Sequence, residues 1–400
     1  MRGFIRRSLS NSVFLLLVLM SLSCLISPQF AGAQAAANSA LRPAVGPGSV
    51  TVHSMFGGQI FGFDINQNGT EGLLTEAQTL PGGSVLAAVE TFDQATGKIV
   101  KVVKKITSKD DFITLGVVGT SIGLVEREHV KDIFVASRIY RELNPLTTNQ
   151  FTGRWTPPLT KDDIITSVSR IQGTGTTAFL YFHNGGGDHT FVFGSNVAGN
   201  TFGPQVALPD DPFFFANFPL VAYDSKKNRA VVAASNGAVG GPPPVIALVD
   251  LATGQLTQFT GIPGPPPFRQ GFINGLAVDS ADGIACTTTE VDFQVEFYDL
   301  KTKTGFAQIL PGANGQLQSG TDVEFDPVNK LFLVAQSVSS TGPGSSIQVY
   351  DIKGNLVESL DGFNFSNSSA VIFTHIALNP THRTGYVDGP DVTQLQSFTY

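Results

Sequence analysis

The chain has 400 residues, of which 42% are hydrophobic and only 14% are charged, whereas a typical globular protein is about 25% charged. This composition excludes a disordered chain and a coiled coil. The 43 glycines and 31 phenylalanines, beside a single tryptophan, indicate strands joined by many tight turns. The formal net charge of −7 argues against nucleic acid or an anionic membrane as a partner, since both need a basic face.

The N-terminus has the organisation of a secretory signal peptide. Three arginines precede an apolar run over residues 13–26, and Ala31-Gly32-Ala33 matches an A-x-A cleavage site. The run is too short to favour a transmembrane helix, which needs about 20 residues. We expect residues 1–33 to be removed and the mature chain, with a formal charge of −10, to reach the periplasm or the extracellular space of a bacterium.

Cys24 offers a competing interpretation, because Leu22-Ser23-Cys24 loosely resembles a lipobox whose cysteine carries a lipid anchor. Ser21 replaces the usual aliphatic residue and the apolar run continues past the cysteine, so cleavage after Ala33 is preferred. Cleavage leaves Cys286 as the one cysteine of the mature chain, which excludes an intrachain disulfide and a cysteine-rich zinc site. Its apolar neighbours predict a buried, inert thiol.

Residues 34–48, rich in Ala, Pro, Gly and Asn, predict a flexible leader, and residues 49–400 the folded domain. Either Ser49–His53 or Gln59–Phe63 is expected to pair into the last sheet and close a ring. Next along the chain, Asp64, Asn66 and Asn68 begin a D-x-N-x-N-G pattern typical of a calcium loop. The twelfth position holds Thr75 instead of Glu, so an Asx-rich hairpin turn is preferred and calcium is the minority alternative.

Two loops in the middle of the chain invite a functional interpretation. His183, Asp188 and His189 flank a Gly-Gly-Gly run and have the side chains of a transition-metal site, but a polar hairpin tip explains them better. Residues 211–218 contain four phenylalanines, which exceed what one strand face can bury. Exposed on a loop they would form an apolar ligand or partner patch, and core packing is the default alternative.

The C-terminal half repeats a two-part pattern with a period of about fifty residues. Short apolar strands end in Asp or Asn at 224, 279, 326 and 379, and a second strand series ends in Asp at 250, 299 and 351. This period is the length of a four-stranded propeller blade, with Asp capping a tight turn and Gly taking a positive φ. Fainter landmarks near 93, 139, 192 and 398 complete a set of seven. We therefore predict an all-β fold, a β-propeller of seven four-stranded blades, and little helix.

The repeat resembles bacterial secreted β-propellers of the YVTN and NHL type. Residues 272–283 (Phe-Ile-Asn-Gly-Leu-Ala-Val-Asp-Ser-Ala-Asp-Gly) also resemble a blade start of the gluconolactonase and regucalcin family. In that family, acidic and amide residues at the central channel bind a divalent metal, and Asn274 is the matching position here. The resemblance implies the propeller fold and leaves the activity open.

Residues just before the apolar inner strands should meet at the central channel. They are Asn217, Asn274, Asp322 and His375, whose carboxylate, imidazole and amide groups suit calcium or another divalent ion. Polar channel residues that simply meet water are the alternative. No G-x-S-x-G, H-E-x-x-H or paired-Cys motif occurs in the chain.

Two functions therefore remain. The preferred hypothesis is a secreted, non-enzymatic propeller that binds a protein or glycan partner on one face. The alternative is a metal-dependent, lactonase-like hydrolase in which Asp322 would ligate the metal and His375 would ligate it or act as base.

Overall fold

The structure is a computed structural model. It describes residues 47–66, 68–108, 111–112, 123–132, 135–143, 151–155, 163–168, 176–183, 189–196, 201–208, 220–234, 243–262, 273–289, 294–309, 319–337, 345–363, 375–388 and 393–400. The predicted signal peptide with Cys24, most of the predicted leader, the phenylalanine cluster at 211–218 and Asn217 lie outside these ranges.

All the regular elements within these ranges are β-strands. They are β1 (Pro47–His53), β2 (Gln59–Ile65), β3 (Glu71–Thr79), β4 (Val85–Asp93), β5 (Ile99–Ser108), β6 (Asp111–Phe112), β7 (Gly123–Asp132), β8 (Val135–Leu143), β9 (Phe151–Trp155), β10 (Asp163–Val168), β11 (Thr176–His183), β12 (His189–Asn196), β13 (Thr201–Phe202), β14 (Val206–Ala207), β15 (Leu220–Asp224), β16 (Arg229–Ala234), β17 (Val245–Asp250), β18 (Leu256–Thr260), β19 (Ile273–Asp279), β20 (Ile284–Thr289), β21 (Gln294–Asp299), β22 (Thr304–Ile309), β23 (Ser319–Asp326), β24 (Leu331–Ser337), β25 (Ser345–Asp351), β26 (Leu356–Phe363), β27 (Ile376–Asn379), β28 (Thr384–Asp388) and β29 (Gln394–Thr399).

The described strands form antiparallel sheets in which neighbours along the chain pair with each other. The sheets are β2–β5, β6–β9, β10–β14, β15–β18, β19–β22, β23–β26, and a last one in the order β27, β28, β29, β1. In the third sheet, β13 and β14 both pair with β12. The landmark residues of the predicted second series all lie on the third strand of a sheet, with a further strand outside it.

The ring closes through the N-terminal strand. β1 pairs antiparallel with β29, and Val52 lies opposite Leu395. The first of the two predicted closing segments is therefore confirmed, and the second forms β2, the first strand of the next sheet. β1 begins at Pro47, two residues before the predicted start of the folded domain.

The first strands of neighbouring sheets lie against one another. β15 contacts β19, β19 contacts β23, β23 contacts β27, and β27 contacts β2. In these five sheets the first strand is therefore innermost, as the repeat predicted, and the β-propeller prediction is confirmed. Between blades the core is apolar: Phe297 of β21 stacks edge-on against Phe332 of β24. Cys286 is buried in the same cluster, and this burial raises the pKa of its thiol, which keeps the thiol protonated and inert.

The two ends of the strands differ in their connections. At one end, which we call the turn face, the first strand joins the second and the third joins the fourth. At the other end, which we call the loop face, the second strand joins the third and each blade passes to the next. Turns of four or five residues such as 280–283 and 251–255 occupy the turn face, whereas 261–272 and 310–318 connect blades on the loop face.

Side-chain caps build the turn-face turns, as the repeat predicted. Asp279 Oδ1 accepts the N–H of Ala281 at 2.9 Å, and Asp250 Oδ1 accepts the N–H of Thr253 at 2.7 Å. After each cap the chain reverses at a glycine with positive φ. This glycine is Gly283 (75°) in the turn that Asp279 caps and Gly254 (75°) in the turn that Asp250 caps. The predicted turn chemistry is therefore confirmed at these positions.

Lys303 occupies a position where the equivalent turns carry glycine, so we expect Lys303→Gly to stabilise the protein. Its φ is 60°, against 70° for Gly97 and 75° for Gly254, and its N–H donates to Asp299 O at 2.8 Å just as Gly97 N–H does to Asp93 O. The substitution removes the strain of a left-handed lysine, but glycine has more conformational entropy to lose on folding. The net effect should be a rise of about 0.5 kcal/mol in the free energy of unfolding. Urea unfolding measures it, and Lys301→Gly in the same turn, which has no positive φ to relieve, should lower stability.

Candidate functional site at the loop-face end of the channel

The first strands carry a β-bulge close to the channel. In four sheets, one residue of the first strand has no partner in the second strand, whereas the residues on either side of it are paired. These extra residues are Phe61, Thr166, Asn274 and Thr321. Bulges locally re-aim side chains and are frequent beside functional sites. The sequence pattern of apolar inner strands gave no sign of them, because the extra residue falls within an otherwise regular strand.

Asn274 is the extra residue of β19 and links two blades. Its side-chain Nδ2 donates to the backbone oxygen of Gly320 on β23 at 3.0 Å. Gly320 stands two residues before Asp322, so the amide places one predicted channel residue beside the next. Its role in this structure is to tie the inner strands of neighbouring blades together.

Asp322 makes the corresponding link one blade further on. Its Oδ1 accepts the N–H of Val323 at 2.8 Å, and its Oδ2 accepts the N–H of Ile376 on β27 at 2.9 Å. Both carboxylate oxygens therefore hold backbone amides, and one of these amides belongs to the neighbouring blade. His375 immediately precedes Ile376, so the structure brings Asp322 and His375 to adjacent places on the channel wall.

His375 is held by a buried acid that the sequence analysis missed. Asp388, at the end of β28, accepts the backbone N–H of His375 at 2.7 Å, and its Oδ2 lies 3.5 Å from His375 Nδ1. The imidazole side chain is 39% exposed and the carboxylate 4%, and the ring packs edge-on against Phe63. Burial raises the pKa of Asp388, and the contacts with His375 act in the opposite direction. Asp388 matches no motif, and only its position at the end of the second strand could have indicated it.

The three described channel residues thus form one arc that crosses three blades. The arc runs from Asn274 through Gly320 to Asp322, and through Ile376 to His375 and Asp388. Among the residues whose side chains are described, no group of three His, Cys, Asp or Glu side chains is arranged to hold a metal ion. The arrangement joins blades and presents one imidazole backed by a carboxylate, while Asn217, the fourth predicted member, lies outside the described residues.

The Asp64 segment forms a hairpin turn between β2 and β3. Asn66 Oδ1 accepts the N–H groups of Thr70 and Glu71, both at 3.1 Å, and Asn68 Oδ1 accepts the hydroxyl of Thr70 at 2.6 Å. Asp64 is buried, and its Oδ1 accepts the N–H of Ile65. These bonds are those of the preferred Asx-rich turn, and calcium binding by Asp64, Asn66 and Asn68 stays a prediction.

The His183 segment connects two paired strands. His183 lies opposite His189 at the ends of β11 and β12, which confirms the predicted hairpin, while residues 184–188 lie outside the described residues.

In the described ranges, no helix has the length and hydropathy that a membrane crossing requires.

Comparisons with known proteins identify the fold and give no family or activity. No protein-family model matches the chain, and no curated protein matches it. Among solved structures, that of U3-55K is similar with a TM-score of 0.56 at 12% sequence identity, covering 89% of this chain and 100% of that one. The WD40 repeats of RRP9 give the same TM-score and identity with 99% of that chain covered, and the β-propeller domain of Myceliophteria thermophila Cps50 (Swd1) gives 0.53 at 10% identity, covering 88% of this chain and 98% of that one. At such identities the likeness shows that this chain has the β-propeller fold and does not transfer an activity.

Proposed function

We propose that the protein is an exported, non-enzymatic interaction scaffold that binds a protein partner on its loop face. The observation that carries this proposal is the difference between the two faces. On the turn face, Asp279 and Asp250 cap the tight turns 280–283 and 251–255 and so occupy backbone amides of these turns. On the loop face, the connections between blades at 261–272, 310–318 and 364–375 are longer and can vary in shape around a rigid ring.

The composition of the loop-face segments supports a protein partner. The segments 208–219, 261–272, 290–293 and 364–375 together contain nine of the 31 phenylalanines, and 310–318 contains no charged residue. Aromatic enrichment is typical of the buried centre of protein interfaces. Aromatic rings also stack on sugars, so a glycan is the alternative partner. The similar solved structures of WD40 type support a scaffold by analogy of fold alone.

Photo-crosslinking tests which face binds. We expect p-benzoylphenylalanine at Met55 or Pro81, both exposed on the loop face, to give discrete crosslinked species in the exported fraction of the native host. The matched positions Thr302 and Lys353, exposed on the turn face, should give at least fivefold less. Equal yields at both faces would contradict the proposal, and a species that glycosidases remove would identify a glycan.

N-terminal sequencing of the exported protein tests the predicted cleavage after Ala33. The sequence obtained should begin at Gln34.

The metal-dependent hydrolase remains the alternative. No observation of the channel favours it, because both oxygens of Asp322 accept backbone amides and Asn274 holds Gly320. The same exported protein, purified without chelator, would distinguish the two functions by its metal content. Stoichiometric metal that Asp322→Ala removes would favour the hydrolase.

A further inference from the structure

Two glutamates lie fully buried side by side in the first blade. Glu76 on β3 and Glu90 on β4 each have no exposed surface. In the register of the two strands, Glu76 lies opposite Ala88 and Glu90 opposite Leu74, which makes the two acids diagonal neighbours on one sheet face. Burial of two carboxyl groups without a cation is costly unless hydrogen bonds or a shared proton compensate.

The hydrogen bonds come from the segment that closes the ring. Residues 54–58 join β1, the closing strand of the last blade, to β2, the innermost strand of the first blade. The N–H of Phe56 donates to Glu76 Oε1 at 2.9 Å, and the N–H of Gly58 donates to Glu76 Oε2 at 2.7 Å. The N–H of Met55 donates to Glu90 Oε2 at 3.1 Å. Three of the five amides in this closing segment therefore bind the acid pair.

The remaining oxygen of the pair indicates where a proton sits. Glu90 Oε1 is buried and no donor within the described residues reaches it, and Glu76 is near enough for a proton to bridge the two carboxyl groups. Two adjacent carboxylates form such a bridge only if one is protonated. Burial, and then the charge of Glu76, raise the pKa of Glu90 to about 8, and the bond from Met55 N–H opposes the shift.

The other blades show that this pair is specific to the closure. The position of Glu90, three residues before the turn Asp, holds Ala247, Glu296 and Gln348 in the three later blades that have a described turn Asp at this place. The position of Glu76 holds Ala234, Thr289 and Gln336. Among these four blades, two acids occur together only where the ring closes.

The lone acid of another blade is satisfied differently. Glu296 Oε2 accepts the hydroxyl groups of Thr287 at 2.8 Å and Tyr298 at 2.6 Å. Tyr298 in turn accepts the N–H of Ile262, which follows β18. Glu296 thus also anchors an incoming loop, but through the hydroxyl group of Tyr298 and not directly. The position of the second acid is Thr289 in this blade.

The charged groups around the pair are few. On β5, Lys104 lies opposite Val89 and Lys105 opposite Ala88, and Lys105 Nζ stands 4.1 Å from the centre of the Phe56 ring. His53 ends β1, and Asp388 with His375 occupies the neighbouring channel wall. Glu71 and Asp93 lie at the turn-face ends of β3 and β4, and Asp111 begins β6. Of the described groups, none is a cation bonded to either glutamate.

We propose that Glu76 and Glu90 share one proton and form a latch that holds the ring closed, and that opening of the segment 54–58 releases this proton, so that opening becomes easier as the pH rises. In the closed ring the proton stays on Glu90, whereas in an opened ring the Glu90 carboxyl meets water and ionises with its ordinary pKa. The closed state therefore binds one proton more than the open state between about pH 5 and pH 8. Closure is favoured at low pH and is weakened as the pH rises through that range.

Hydrogen exchange of the amides of Met55, Phe56 and Gly58 tests the latch. After correction for intrinsic exchange, their opening constant should rise about tenfold per pH unit from pH 5.5 to 8 and level off above it. Glu90→Gln should remove this dependence, because its amide still donates to Glu76 but cannot ionise. Glu296→Gln, the same position in a blade away from the closure, should keep the wild-type profile at these amides.

An opening constant that is flat with pH in the wild type, or a slope that Glu90→Gln leaves unchanged, would overturn the proposal. Should Glu90→Gln fail to fold, carbon-13 NMR of the wild-type carboxyl groups still decides. One glutamate titrating near pH 8 is expected, and its absence would overturn the latch.

Discussion

Val52→Asp should unfold the closed ring and lower the free energy of unfolding by about 4 kcal/mol or more. Val52 is fully buried in the cluster that joins β1 to its neighbours, together with Ile60, Tyr386 and Leu395. Replacing it with a carboxylate removes apolar contacts and places an unpaired charge in an apolar environment. Because β1 is the strand that closes the ring, we expect the loss to separate β1 from β29 first.

His53→Asp provides the matched control, because His53 is the next residue of the same strand and its side chain is exposed. The alternation of a strand puts the two side chains on opposite faces, so this variant should change stability by about 0.5 kcal/mol or less. Urea unfolding measures both variants, and hydrogen exchange of β29 shows whether the closure opens first. Similar losses in both would mean that β1 is not anchored through Val52.

The repeat predicted the fold because the turn chemistry recurs in the sequence itself. Asp250 and Asp299 cap their turns with the side-chain bonds that the pattern requires. The spacing between such turns is a property of the chain, so the period, the inner strands and the closing strand were all accessible without a structure. The departure at Lys303, where a lysine takes the left-handed conformation of a glycine, leaves the period intact.

The channel was predictable only in part. The predicted channel residues Asp322 and His375 do come to adjacent places, although Asp322 lies within β23 instead of before it. What each side chain binds depends on the register between blades and on bulges of one residue, which have no local signal. Asp388 and the pair Glu76 and Glu90 were missed for the same reason: each lies within or at the end of an ordinary strand, and only tertiary packing buries it.

Gly275→Ala should lower the free energy of unfolding by about 3 kcal/mol or more. A Cβ at Gly275 would stand 2.5 Å from the backbone nitrogen of Val323 and 2.8 Å from the carbonyl carbon of Asp322. These atoms belong to the inner strand of the next blade, so backbone and not a flexible side chain must move, and overpacking of this kind is costly. Separating β19 from β23 would also stretch the bond from Asn274 to Gly320.

Gly283→Ala isolates the backbone contribution, because a Cβ there meets no atom within 4 Å while its φ of 75° is left-handed. It should cost only about 1 kcal/mol. Urea unfolding of both variants therefore separates close packing from left-handed strain, and equal costs would contradict the packing argument. The outcome bears on function, because Gly275 belongs to the Asn-Gly-Leu segment that resembles a metal-binding blade. If blade packing alone requires this glycine, the segment can occur in a propeller that binds no metal, and its presence says nothing about catalysis.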